Sequence, residues 1–224
     1  MILPSLSAES EKKVHKTRKS KRVFFIGAHP DDIEIGCGAL IANIQNSAEV
    51  FCITLSDNQK NPVLKNVVKE HNESMRILGV DEKHRFIESF ETRRFKHSRQ
   101  EILEYLFSVN RKYKPDMVFV HSNTDLHQDH GTVTQESLRA FRGTSLFGYD
   151  VIRSSYGFFP TFLIEVNESD VEKKIKALTA YQTYKDKYYF SAELTHAIMI
   201  RNGAIAEKKY AEGFDILRMI GSFT

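Results

Sequence analysis

The chain has 224 residues, enough for one substantial core, and its 41% hydrophobic and 27% charged content with only 11 Gly and 5 Pro excludes a disordered chain and a fibrous repeat. The formal charge of +3 is unevenly placed: residues 1–22 hold seven Lys and Arg against Glu9 and Glu11, which leaves −2 for the other 202 and removes the argument for nucleic-acid binding. No apolar run approaches the roughly 20 residues of a membrane-spanning helix, and Cys37 and Cys52, without Cys-x-x-Cys spacing, point to core packing in a reducing compartment.

Residues 1–21 form a basic tail without the apolar centre of a secretory signal, so a cytoplasmic protein is expected, with one domain over 22–224. Val23–Ala28 reads as a buried strand that stops at His29, Pro30, Asp31, Asp32 and Glu34, one imidazole and three carboxylates within six residues. A helix over Gly36–Gln45 follows, with Leu40, Ile41 and Ile44 as its apolar stripe, then a strand over Val50–Leu55. Val67, Val68, His71, Met75 and Leu78 recur at spacings of three and four, which predicts a helix over Val63–Leu78 closed by Gly79. Arg85–Ile87 is a short third strand, Ser98–Lys112 a helix, Met117–Val120 a fully apolar strand, and Thr132–Phe141 a helix behind the polar loop His121–Asp129. Beyond Phe141 the pattern predicts short strands over Tyr149–Arg153 and Thr161–Val166 and helices over Val171–Tyr184 and Ala192–Arg201. This alternation predicts a Rossmann-like, three-layer α/β fold, a mostly parallel sheet with helices on both faces.

In such a sheet ligands gather at the carboxyl ends of the strands. Two strand ends here are dense in functional groups: His29 to Glu34, and His121, Asp125, His127, Asp129 and His130. If their strands are neighbours, His29, Asp32 and His130 can meet as two imidazoles and a carboxylate with one open position, the ligand set of a catalytic zinc site. Zinc lowers the pKa of water in that position toward about 7. Asp31 is then free to act as general base, and His127, as a cation held by Asp129 or Asp125, can stabilise an oxyanion and protonate the leaving group. Each loop alone has a simpler reading, since His-Pro-Asp-Asp also suits a capped helix start. Glu34 reads as a helix N-terminal charge or a support for the ligands, and His121 as a support at the same edge.

The stretch Gly27–Ala39 resembles the opening signature of the LmbE-like/PIG-L family of zinc-dependent N-acetylglucosaminyl deacetylases, and His127-Gln-Asp-His130 is similar to its second motif, with Gln128 where that motif usually has proline. Weaker similarity runs through Glu70–Val80, Pro115–Val120, Lys174–Gln182 and Tyr210–Phe214, so that it covers about residues 22–220. The resemblance implies His29, Asp32 and His130 as ligands of one Zn2+ per subunit, with Fe2+ as the other candidate ion. It further implies Asp31 as base, His127 as electrophile or acid, and removal of acetyl from an N-acetylamino sugar or its conjugate. Where many relatives carry an Arg shortly before Glu70, this chain has Val67 and Lys69, so Arg93 and Arg94 are the candidates for an anionic part of the substrate. The expected partner is a small-molecule amino sugar, with no nucleic acid and no membrane span, and with homo-oligomerisation left open. A metallohydrolase of another amide or ester, or a non-catalytic sugar-binding module, are the competing expectations.

Overall fold

The computed structural model describes residues 20–58 and 60–221, so the expected basic tail lies outside the described residues except for its last two positions. In chain order the elements are β1 (Lys21–Gly27), α1 (Asp32–Ile44), β2 (Ala48–Thr54), α2 (Val67–Leu78), β3 (Arg85–Ile87), α3 (Arg99–Tyr113), β4 (Met117–His121) and α4 (Gln128–Ala140). There follow β5 (Ser145–Tyr149), β6 (Phe162–Glu165), α5 (Glu168–Thr179), α6 (Ala192–Ile205) and β7 (Ala211–Arg218). The strands form one sheet in the order β3-β2-β1-β4-β5-β7-β6, parallel from β3 to β5 and antiparallel at the β5–β7 and β7–β6 pairings.

Strand alternation divides the core in two. From β1, Val23 and Phe25 join Cys37, Leu40, Ile41, Met75 and Leu78 on the face covered by α1 and α2. Phe24 and Ile26 join Ile102, Leu106 and Val133 on the face covered by α3 and α4. Side chains pointing both ways into apolar layers explain why these strands read as continuous apolar runs. Each Phe so buried contributes about 1.5–3 kcal/mol.

Several boundaries differ from expectation. The helix α1 starts at Asp32, so the expected loop is its first turn. The strand expected at Tyr149–Arg153 is β5, four residues earlier in its start, paired in parallel register with β4. Gly148 permits that pairing beside β7, since a Cβ there would sit 1.8 Å from Asp215 Oδ1. The eight residues of β7 have no counterpart among the expected elements, because Glu212 and Gly213 interrupt the apolar pattern. Glu212 is nonetheless buried and ion-paired to Lys174 at 2.6 Å.

For function the decisive feature is the β1–β4 pairing. The chain runs outward from β1 through β2 to β3 on one side and from β4 to β5 on the other, so β1 and β4 flank the point where strand order reverses. Open α/β sheets bind ligands at this crevice.

Candidate metal centre and active site

The loops that leave β1 and β4 bring His29, Asp32 and His130 together. Nδ1 of His29 lies 3.4 Å from Asp32 Oδ2, Nε2 of His130 lies 3.4 Å from the same oxygen, and the two nitrogens are 3.3 Å apart. Metal–ligand bonds of about 2.05 Å in a tetrahedron give ligand–ligand edges of about 3.3 Å, so the spacing matches one small divalent ion.

The far side of each imidazole fixes which nitrogen faces that point. Nε2 of His29 meets Asp129 Oδ2 at 3.1 Å, and Nδ1 of His130 meets Asp125 Oδ2 at 2.7 Å. A ring that donates to a carboxylate on one nitrogen offers a lone pair on the other, the arrangement that orients metal-binding histidines. Burial opposes charge on both rings, but Asp129 and Asp32 raise the His29 pKa. Asp32 and Asp125 lift that of His130 to about 10. Burial likewise works against the Asp32 carboxylate, yet His130 beside it holds its pKa well below the usual range.

Among the described residues two further histidines complete overlapping triads with His130: His29, His127 and His130, and Asp32, His121 and His130. Their own hydrogen bonds argue against ligation. Nε2 of buried His121 accepts the Ala28 N–H at 3.0 Å, and the ring stacks on His130 with centroids 3.8 Å apart. Burial and the nearby His130 keep His121 neutral, its pKa well below 6.5. His121 thus packs against the His130 ring at the same edge of the sheet.

His127 caps α4, its Nδ1 accepting the Asp129 N–H at 3.2 Å. Its proton therefore resides on Nε2, on a ring that lines the cavity. Burial, with His130 and His29 close by, pushes its pKa down to about 4. The expected cation held by Asp129 or Asp125 is not formed, because both carboxylates are already bonded to His29 and His130. Asp129 also accepts the backbone N–H groups of Arg93 and Phe95, which ties His29 to the loop after β3.

Asp31 occupies the N-cap position of α1 but makes no side-chain cap bond, at φ 109° and ψ −33°. The helix-cap reading therefore fails for Asp31, whose side chain lines the cavity instead. Burial, then the carboxylates of Asp32 and Glu34, raise its pKa well above 3.8. Glu34 turns away from the centre, with Oε1 2.9 Å from His71 Nδ1 and 2.6 Å from Tyr181 OH.

A cavity of about 730 Å3 opens over these groups. Arg93 lines it, and exposed Arg94 does not. Sequence reasoning missed Asn58, Arg153, Tyr184 and Tyr189 in the wall, which carry no local signal of function. Of the five non-glycine residues with positive φ among those described, three line this cavity: Asp31, Asn58 and Arg93. Backbone strain of this kind concentrates at functional sites.

A family model described as GlcNAc-PI de-N-acetylase, PIG-L, matches residues 24–141. YaiS of Escherichia coli (strain K12), described as an uncharacterized deacetylase, is 27% identical over 172 residues, 74% of this chain and 92% of its own length. The N,N'-diacetylchitobiose deacetylase structure from Pyrococcus horikoshii superposes with a TM-score of 0.75 at 22% identity, over 92% of this chain and 88% of that one. GalB, the 4-carboxy-2-hydroxymuconate hydratase from Pseudomonas putida KT2440, superposes with a TM-score of 0.71 at 16% identity, over 91% and 99%.

Proposed function

Because this chain belongs to the PIG-L family, we propose that it is a metal-dependent hydrolase that removes the acetyl group from an N-acetylglucosamine-type amino sugar or its conjugate. The observation that carries the reading is the convergence of His29 Nδ1, Asp32 Oδ2 and His130 Nε2 at 3.3–3.4 Å from one another, beneath a cavity that holds an uncapped Asp31. Bound by these three side chains, a divalent ion such as Zn2+ would polarise the amide carbonyl and lower the pKa of a water.

The chain's own residues supply the remaining chemistry. Asp31 takes a proton from the water whose oxygen attacks the acyl carbon. His127, neutral with its proton on Nε2, donates to the oxygen on which negative charge develops. A ring with a pKa of about 4 is a poor proton source at neutral pH. The proton held on Asp31, whose pKa is raised, therefore passes to the nitrogen as the C–N bond breaks, giving acetate and a free amine. Asp129 and Asp125 orient His29 and His130, and Arg93, which lines the cavity, would meet an anionic part of the substrate.

The fold does not choose the reaction, since it is shared with a hydratase. Metal-loaded protein assayed for acetate release from N-acetyl, N-formyl and ester substrates tests the acyl specificity. In the same assay Asp31→Asn is expected to retain metal while acetate release falls by about 10²-fold or more. A fully active Asp31→Asn protein removes Asp31 as the base.

A further inference from the structure

On the β2 side of the cavity, Ser56, Asn58 and Thr92 form a small hydrogen-bonded ring. The hydroxyl of Ser56 accepts the Asn58 backbone N–H at 3.2 Å and lies 2.9 Å from Thr92 Oγ1. Thr92 Oγ1 in turn makes a short bond to Asn58 Oδ1. The ring is tied to the reacting centre through the Ser56 N–H, which donates to Ala28 O at 2.9 Å, one residue before His29.

Both hydroxyls of the ring lie on the Oδ1 side of the Asn58 amide, Ser56 Oγ at 3.5 Å and Thr92 Oγ1 closer. Ser56 is 1% exposed, so its hydroxyl proton needs an acceptor, and Thr92 Oγ1 provides it. Thr92 then gives its own proton to Asn58 Oδ1. The oxygen therefore faces the ring and the NH2 group faces the cavity that Asn58 lines.

The backbone gives independent support. Asn58 is only 8% exposed and sits at φ 55°, a conformation that glycine would adopt without strain and without a side-chain donor. It shares this cavity with the two other strained residues, Asp31 and Arg93.

We infer that Asn58 is a specificity-determining residue: its Nδ2–H donates to an acceptor oxygen, a hydroxyl or ring oxygen, carried by the substrate beside the reacting amide. This rests on the amino-sugar reading above. A substrate with bare hydrocarbon at that place leaves the Asn58 N–H unpaired and is discriminated against.

The test compares N-acetylglucosamine with N-acetylcyclohexylamine, which carries the same acetamide on a six-membered ring without oxygens. Asn58→Gly keeps the left-handed turn and removes the donor, so it is the safest variant for folding. The preference for the sugar, as a ratio of kcat/KM values, should fall about tenfold in Asn58→Gly. It should fall by a smaller factor in Thr92→Val, which frees the amide without removing it. Acetate release with an unchanged ratio in Asn58→Gly overturns the inference and leaves the deacetylase reading standing. If the wild-type protein releases acetate from neither compound, the free-sugar form of that reading fails, and calorimetric binding of the same two compounds decides for Asn58: a binding ratio unchanged in Asn58→Gly overturns it.

Discussion

At the residue scale the site is governed by which carboxylate holds which imidazole. Asp125 receives the Nδ1 proton of His130 and also the Ser154 hydroxyl at 2.9 Å, so it fixes the ring that points Nε2 at the centre. Replacing it by Ala should weaken metal affinity about 10–100-fold, measured by competition with a chelator. His127→Ala should instead retain metal and lose kcat. The same residues set a pH dependence. In the metal-free protein His130 is protonated below about 10, and a ligand nitrogen must be deprotonated. Metal uptake therefore displaces a proton and strengthens as pH rises, by up to about tenfold per unit for each proton displaced. Zinc titrations at pH 6 and pH 8 check the sign, and Asp125→Ala, which lacks one of the groups that raise the His130 pKa, should show the shallower dependence. None of this pairing was legible in the sequence. The clustering of His29, Asp31, Asp32, His127 and His130 at two strand ends was, because polar groups that end apolar runs have few other places to be. The spacing of Asp125 and Asp129 around His127 suggested local contacts, whereas both reach other partners, one of them on a different loop.

At the scale of elements, the helix α1 carries Asp32 at its first turn and presses on β5 through Gly36. A Cβ at Gly36 would lie 2.2 Å from the Tyr149 ring, whose hydroxyl donates to Ile26 O at 2.9 Å and lies 3.4 Å from His121 Nε2. Gly36→Ala should cost about 1–3 kcal/mol through overpacking, a lowering of the melting temperature by about 2–4 °C per kcal/mol in a chain of this size. An unchanged melting temperature would show that Tyr149 moves aside freely. The α/β order was legible from apolar runs and helical spacing because the core has two faces that nearly every element must cover. The edge was less so: β7 hides a buried Glu212 whose charge is answered by Lys174 from α5, a tertiary pairing that no local pattern announces.

At the scale of the whole molecule, the fold places its reactive groups where strand order reverses, between β1 and β4, and supports them from both core faces. Stability and reactivity are set against each other there. Asp31 holds a left-handed backbone that an aspartate resists, with a half-buried carboxylate close to the charges of Asp32 and Glu34. A single such residue costs on the order of 1–3 kcal/mol. Asp31→Gly should therefore raise the melting temperature of the metal-free protein while abolishing acetate release, and a lower melting temperature would contradict the strain. The consequence reaches beyond one mutant: under the proposed mechanism a lineage of this chain selected only for heat resistance would be drawn to discard its proton carrier, because the residue that moves the proton is also the one that holds the strained backbone.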